Sequence, residues 1–193
     1  MNSKQRRCYS FNNIFSNPVV DLLTVLIYAF GYSLVLLFAA GYMLWKGNVD
    51  RFAQYLAVLT VVHSLALLTW AVYPVAPPRI AYEEVRSPRL TLLPFTETFN
   101  PFPYGAFPSL HVADTLTVLL FLRFYKGRKW RFGWALFFIL VVFSTLYLGE
   151  HYLADAVAGC MHSLAGYLFV SKFISPRLQF VHLKKDTTLP SHL

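Results

Sequence analysis

Five long apolar stretches constrain the fold of this sequence more than any other feature. They cover residues 19–45, 52–73, 109–125, 132–148 and 152–173. A helix of about 20 apolar residues spans the roughly 30 Å of a bilayer's hydrocarbon core. Within lipid, a helix satisfies its own backbone polar groups, so long apolar stretches favour it. The sequence therefore predicts an all-α fold, a polytopic membrane bundle of about five transmembrane helices.

The composition supports this prediction and excludes two other classes of protein. Apolar residues make up 56% of the chain and charged residues 13%, whereas soluble proteins average about 45–50% and about 25%. A soluble domain with this balance would aggregate, and aromatic residues, at 18%, are too frequent for a disordered chain. The net charge of +8 lies in short basic blocks between the apolar stretches. We interpret it as a sign of membrane topology and expect no nucleic-acid partner.

One membrane-embedded domain is expected over residues 19–175, between an interfacial tail of residues 1–18 and a polar tail of residues 176–193. The first apolar stretch is longer than the apolar region of a signal peptide, and no small-residue cleavage site follows it. Cys8 and Cys160 have no CxxC or histidine-rich surroundings, so neither a disulfide nor a metal site is expected. Nothing in the sequence indicates an oligomeric state.

The segment between the second and third apolar stretches differs from the rest. Residues 74–108 contain most of the chain's eleven prolines together with several charged residues, and they are too polar to span a bilayer. Their last part, from residue 94 onward, is dense in proline and aromatic residues. This pattern favours an ordered cap at the membrane interface, partly re-entrant against the bundle. The alternative is a plain extramembrane loop.

The basic residues indicate an orientation in the membrane. With five spans, the loops 46–51 and 126–131 and the C-terminal tail share one side, which carries the larger number of lysines and arginines. The positive-inside rule makes that side cytoplasmic. Segment 74–108 would then lie on the extracytoplasmic side, although the basic N-terminal tail on the same side counts against this orientation.

Polar residues at the ends of the spans are candidates for chemistry, because ionisable groups within membranes are costly. His151 and Asp155 are four residues apart and share a helix face, so the carboxylate is expected to accept the Nδ1–H and leave Nε2 as a nucleophile. His111 can donate a proton to a leaving group. Arg79 and Ser109 can bind an oxyanion such as phosphate. Alternating spans bring these residues to one membrane face, a set that suits phosphoryl transfer through a phosphohistidine without metal or cofactor.

Other polar residues in the spans have plainer interpretations. A His–Asp pair on a membrane helix is more often a structural hydrogen bond than a catalytic pair. His63 and His162 have no acidic partner at helical spacing and are interpreted as packing residues. Asp114 either tunes His111, one turn away, or hydrogen-bonds across helices, and the sequence leaves both open. Glu150 is expected to be a surface residue.

Two motifs resemble those of a known family. Pro108-Ser109-x-His111, followed by Ser144-(x)6-His151-(x)3-Asp155, is similar to the second and third signature motifs of the type 2 phosphatidic acid phosphatase superfamily of membrane lipid phosphatases. The longer stretches GAFPSLH, residues 105–111, and STLYLGEHYLADAVAG, residues 144–159, resemble the branch that includes fungal inositol phosphorylceramide synthase. The resemblance covers roughly residues 70–170.

The resemblance implies a role for each matching residue. His151 is the nucleophile of this family pattern, and Asp155 is its orienting carboxylate. His111 protonates the leaving group. Ser109 and the arginine of the first motif, here Arg79, bind the phosphate.

The sequence departs from the family pattern at two cations. The lysine of the first motif is replaced by Val72, and the arginine after Ser144 is replaced by Thr145. The synthase-like branch shares both departures. Arg86 and Arg89 are the candidates to compensate for them.

Together these observations predict a membrane enzyme that hydrolyses a lipid or polyprenyl phosphate or diphosphate at the extracytoplasmic face. The first alternative is a phosphotransferase that makes a head-group phosphodiester lipid. The second alternative is a non-catalytic lipid-binding or transport subunit. The expected partners are the lipid phosphate substrate and the surrounding membrane lipids.

Overall fold

The computed structural model describes residues 16–98, 100–125 and 127–176, and this part of the chain is helical apart from turns and loops. Its helices are α1 (Pro18–Leu26), α2 (Tyr32–Trp45), α3 (Val49–Val72), α4 (Pro78–Ala81), α5 (Pro88–Leu92), α6 (Phe95–Thr98), α7 (Leu110–Leu122), α8 (Arg128–Tyr147) and α9 (Leu153–Phe169). Wider π-helical turns join α1 to α2 at Ile27–Gly31 and extend α9 at Val170–Ile174. Apart from residues 16–18 and 176, the two predicted tails lie outside the described residues.

Four helical segments are long and apolar enough to cross a membrane. They are Pro18–Trp45, Val49–Val72, Arg128–Tyr147 and Leu153–Ile174. The third predicted span is the shorter helix α7, whose 13 residues cover about 20 Å. Helix α7 packs against α2, α3, α8 and α9 and forms the centre of the bundle. The prediction of an all-α membrane bundle with about five transmembrane helices is confirmed.

The outer surface of the bundle is apolar. Large side chains such as Leu37, Leu68, Val72 and Leu168 are exposed on the long helices. A monomeric soluble protein rarely presents apolar patches of this extent to water. We therefore infer that these helix faces contact the lipid of the membrane.

Helices α7 and α9 approach each other closely, and this approach positions the polar ends of both. A side chain on Gly159 would place its Cβ 2.4 Å from the carbonyl oxygen of Ser109. Glycine is required here because any larger residue would force the two backbones apart. The start of α7 is thereby fixed against the first turns of α9.

Residues 74–98 and 100–108 form an ordered cap over the end of the bundle at which α3 ends and α7 and α9 begin. Its two ends pair through backbone hydrogen bonds, from Val75 N to Tyr104 O at 2.7 Å and from Ala106 N to Val75 O at 3.1 Å. Trp70 of α3 packs on Phe102, with ring centroids 5.0 Å apart. The segment therefore has fixed structure and is not a plain loop. We call this end of the bundle the histidine end.

Candidate active site

The three polar segments predicted from the sequence converge at the histidine end. The Ser109 N–H donates to the carbonyl oxygen of Asp155 at 3.0 Å, which links the starts of α7 and α9. The Arg79 N–H donates to the carbonyl oxygen of Gly149 at 3.0 Å, which links the cap to the turn between α8 and α9. Gly149 has a φ of +68°, a conformation that glycine adopts without strain. Backbone contacts thus hold the segments together.

His151 is buried in this turn and is oriented by the backbone. Its Nδ1 lies 2.8 Å from the carbonyl oxygen of Ala106. Because a carbonyl oxygen only accepts, Nδ1 carries the hydrogen and Nε2 keeps its lone pair when the ring is neutral. This is the tautomer expected of a nucleophilic imidazole.

Asp155 does not make the hydrogen bond that the spacing predicted. Its Oδ2 lies 3.6 Å from His151 Nδ1 and accepts the Tyr152 N–H at 2.7 Å instead. The carboxylate therefore caps the N-terminus of α9, where such groups are favoured. It lies near enough to His151 to stabilise a positive charge on the ring.

His111 faces the same space as His151, with ring centroids 6.0 Å apart. Its ring stacks on Tyr28 at 3.9 Å, with 15° between the planes, and contacts Tyr32 at 4.4 Å and 41°. Tyr28 lies in the π-helical turn between α1 and α2, and Tyr32 follows it as the first residue of α2; such wide turns recur at functional sites. Sequence reasoning missed these two tyrosines, and the one available signal was their four-residue spacing inside the first span.

Arg79 lies at the site, as predicted, and its guanidinium is buried between two carboxylates. Its Nε donates to Glu150 Oε2 at 2.9 Å, and its Nη2 donates to Glu97 Oε2 at 3.0 Å. Glu150, expected at the surface, is 5% exposed. That expectation is wrong because Glu150, in the turn between α8 and α9, accepts a hydrogen bond from Arg79 of the cap.

Arg89, and not Arg86, supplies a second cation at the site. Arg89 donates to Glu150 and Glu97, the same carboxylates that hold Arg79. Arg86 pairs with Asp21 at the start of α1. Two arginines and two glutamates thus form one charge-balanced cluster.

Glu97 is the most accessible member of this cluster, with a side chain 36% exposed. Burial acts to raise the pKa of Glu97, but hydrogen bonds from Arg89 and Arg79 and their positive charges outweigh it and lower the pKa below its ordinary value. The carboxylate is consequently ionised at neutral pH, and it bonds both arginines.

Two adjoining cavities open between these groups. One, of about 220 Å³, is lined by both histidines together with Arg79, Glu150 and Tyr28. The other, of about 280 Å³, is lined by Arg89 and shares His111 and Glu150 with the first. Both volumes lie just below the roughly 300–1,000 Å³ of typical small-molecule sites, so each cavity is large enough only for a small group.

Ser109 immediately precedes α7 and is fully buried. Its hydroxyl has no hydrogen-bond partner among the described residues. The hydroxyl and the free N–H groups of the first turn of α7 are donors of the kind that bind anions at helix N-termini.

Asp114 hydrogen-bonds across helices, one of the two interpretations that the sequence left open. Its Oδ2 accepts the Tyr32 hydroxyl at 2.9 Å and lies 3.4 Å from His63 Nε2. His63 therefore has an acidic partner on another helix and is more than a packing residue. For His162, the structure gives a contact from Nδ1 to the carbonyl oxygen of Ala158 at 2.9 Å.

Comparisons with known proteins agree with the arrangement of these motifs. The family model of the PAP2 superfamily matches residues 9–169. Inositol phosphorylceramide synthase catalytic subunit aur1 of Schizosaccharomyces pombe is 33% identical over 87 residues, 44% of this chain and 20% of the relative. Inositol phosphorylceramide synthase of Candida albicans is 35% identical over 74 residues, 38% of this chain and 16% of the relative.

The matched region is thus a fifth or less of either curated relative, and no solved structure matches the chain. The family model, in contrast, extends over most of the chain and includes every residue of the site. Together with the four membrane-spanning segments, it establishes that this chain is an integral, multi-pass membrane protein of the PAP2 superfamily.

Proposed function

We propose that this protein is a membrane phosphatase that hydrolyses a lipid or polyprenyl phosphate or diphosphate through a phosphohistidine. The observation that carries the proposal is the pair of imidazoles whose ring centroids are 6.0 Å apart and which line one cavity with Arg79. A phosphate in that cavity would have a nucleophile on one side and a proton donor on the other.

The first half of the reaction transfers the phosphoryl group to the enzyme. The lone pair of His151 Nε2 attacks phosphorus, and the bond from phosphorus to the oxygen of the lipid breaks. His111, protonated, donates its proton to that oxygen, which leaves as the lipid alcohol, or as the lipid phosphate when the substrate is a diphosphate. The Ala106 carbonyl supports this step because it holds the His151 tautomer in which Nε2 is free.

The second half returns the enzyme to its starting state. Water attacks phosphorus, the bond from phosphorus to Nε2 breaks, and the lone pair returns to His151. His111, now neutral, accepts a proton from the attacking water and is ready for another cycle. The carboxylate of Asp155, 3.6 Å from Nδ1, stabilises the positive charge on the phosphorylated ring.

Arg79, Arg89 and Ser109 are proposed to bind the phosphate oxygens. Both arginines already hold carboxylates, so an incoming phosphate has to replace one of them. Glu97 is the group to be displaced because its side chain is 36% exposed, against 6% for Glu150. Arg89 would thereby supply a positive charge that the family pattern places at position 72 or 145, where this chain has Val72 and Thr145.

Transfer to an alcohol in place of water is the second candidate function. It is favoured by the two curated relatives, which are both named inositol phosphorylceramide synthase. The chemistry of the first half is unchanged, and an alcohol attacks the phosphohistidine to give a phosphodiester.

One experiment tests both functions. The purified protein is incubated with labelled lipid phosphates and phosphodiesters, with and without alcohols such as inositol, and with vanadate as inhibitor. Release of inorganic phosphate supports hydrolysis, and an alcohol-dependent labelled diester supports transfer. We expect either activity to persist in EDTA. A folded protein that gives neither product and binds no vanadate contradicts both and indicates the non-catalytic alternative.

We further propose that the site faces away from the cytoplasm, because the opposite end of the bundle carries the basic loops. Cysteines are introduced singly at Glu84 and Lys129, both exposed, in a chain lacking Cys8 and Cys160. An impermeant thiol reagent added to intact cells is expected to label position 84 and spare position 129. The reverse pattern would place the site in the cytoplasm.

A further inference from the structure

We propose that Asp114 is a positioning residue, which holds the ring of His111 in place through the hydroxyl of Tyr32. The inference rests on the proposed function, in which His111 is the proton donor. It assigns a role to a carboxyl group inside the membrane that the phosphoryl-transfer steps do not use.

The contacts from Asp114 to His111 form a continuous chain. Asp114 is fully buried and lies on α7, three residues after His111 and on the same helix face. Its Oδ2 accepts the Tyr32 hydroxyl at 2.9 Å. The ring of Tyr32 lies against the ring of His111, with centroids 4.4 Å apart. The hydrogen bond therefore fixes the tyrosine ring that limits how far the imidazole can rotate.

His63 explains how a carboxyl group is tolerated at this depth. His63 Nδ1 lies 2.8 Å from the carbonyl oxygen of Leu59 and so donates its hydrogen there. Its Nε2 lies 3.4 Å from Asp114 Oδ2, and a bare lone pair facing a carboxylate would be repulsive. A proton held between the two groups would remove this repulsion, and the pair would then carry no net charge. This neutrality reduces the cost of burying the carboxyl group in lipid.

Helix packing alone does not account for the contacts among Asp114, Tyr32 and His63. Asp114 Oδ1 is buried and has no partner among the described residues, so part of the desolvation cost is uncompensated. Two apolar side chains in place of Asp114 and Tyr32 would join α2 to α7 without that cost. The hydrogen bond between Tyr32 and Asp114 gives the Tyr32 ring a fixed orientation, which apolar contacts alone would not provide.

The effect on catalysis follows from this geometry. His111 must direct its proton at the oxygen that leaves, and a misplacement of about 1 Å can lower a rate about 100-fold. Among the described residues, no hydrogen bond or ion pair joins the proposed phosphate-binding residues Arg79 and Arg89 to Asp114 or Tyr32. Loss of the hydrogen bond should therefore lower kcat and leave KM nearly unchanged.

The test compares five variants for kcat, KM and thermal unfolding. Asp114→Asn retains an oxygen that accepts the Tyr32 hydroxyl, and its kcat is expected within about 3-fold of wild type, since the geometry is kept. Asp114→Leu and Tyr32→Phe each remove the hydrogen bond and should lower kcat about 10- to 100-fold. If Asp114 acts through that hydroxyl, the Asp114→Leu/Tyr32→Phe double variant is no slower than either single one. His162→Gln is the control, because His162, like His63, contacts the carbonyl oxygen four residues before it. Its kcat and KM should equal those of wild type.

A second readout does not depend on turnover. The rings of Tyr28 and Tyr32 are expected to shift the ¹⁵N-histidine NMR signals of His111. These signals should move or broaden in Asp114→Leu but not in Asp114→Asn. Additive kinetic effects, or unchanged His111 signals in a folded Asp114→Leu, would overturn the inference. Wild-type protein without any turnover would contradict the proposed function instead, and the His111 signals would still decide whether Asp114 positions the ring.

Discussion

The two ends of the bundle use arginine in different ways. At the histidine end, Arg79 is buried and bonds carboxylates at fixed distances. At the opposite end, which we call the basic end, Arg51 and Arg123 each lie 4.7 Å from the centre of the Phe124 ring. A cavity of about 550 Å³ lies there between residues 47–51, which include the first residues of α3, and the aromatic side chains of Phe121, Phe124 and Tyr167.

The difference reflects what each environment allows. A buried guanidinium needs carboxylate partners because an unpaired charge away from water is costly, and those partners also fix its direction. An arginine near the membrane surface keeps its charged group hydrated and rests on an aromatic face. Arginine with a fixed direction suits a reacting phosphate, whereas arginine that rests on an aromatic ring suits anchoring at an interface.

The largest effect should come from the nucleophile. His151→Ala is expected to abolish turnover in the lipid phosphate assay while thermal unfolding stays near that of wild type, because the proposed N–P bond cannot form. Arg51→Gln at the basic end is the matched control and should retain full activity. Near-wild-type activity in His151→Ala would show that the phosphohistidine mechanism is wrong.

Arg89→Gln is expected to lower kcat/KM about 100-fold, as the loss of one donor to a developing oxyanion does. The single variant also leaves the glutamates with an excess negative charge and should unfold at a lower temperature. Arg89→Gln/Glu97→Gln restores the charge balance, so its thermal stability should recover while its activity does not. Recovery of both would mean that Arg89 serves the fold and not the phosphate.

Asp155→Asn should lower kcat roughly 10-fold, far less than the roughly 10⁴-fold loss seen when an aspartate alone fixes a histidine tautomer. The reason is that the Ala106 carbonyl holds the His151 tautomer and the amide oxygen can still accept the Tyr152 N–H. Asp155→Ala also removes this cap and should cost about 1 kcal/mol of stability. A loss of activity in Asp155→Asn as large as that in His151→Ala would show that Asp155, and not the Ala106 carbonyl, holds the His151 tautomer.

Acidic pH should slightly lower the stability of the folded protein, because the ion pairs of Glu97 at the histidine end are lost. The pKa of Glu97 is lowered in the folded protein, so its contribution to stability is complete above its ordinary pKa. That contribution is lost as the pH falls from about 4.5 through the lower folded value. Thermal unfolding of wild type and Glu97→Gln, measured across this range, should therefore converge at low pH. A difference that grows with acidity would reverse the sign and contradict the ion-pair assignment.

Several features of the site could be predicted because they depend on local sequence. The apolar stretches define the helices, and alternation of spans brings Ser109, His111 and His151 to one end. The proposed site residues His111 and Arg79 do line one cavity. The bond between His151 and Asp155 was predicted from their spacing alone, and it failed because the turn before α9 directs the ring towards Ala106 instead.

The sequence by itself determined the membrane bundle, its approximate spans and the end at which the polar motifs meet, since apolar length is a property of each span and residue spacing acts over one or two helical turns. Only the tertiary structure decided that Ala106 orients His151, that Arg89 joins Glu150 and that Tyr32 bonds Asp114. These partners are 45, 61 and 82 residues apart in the chain. No local pattern encodes such pairs, because each exists only where helix packing brings the two side chains within hydrogen-bond distance.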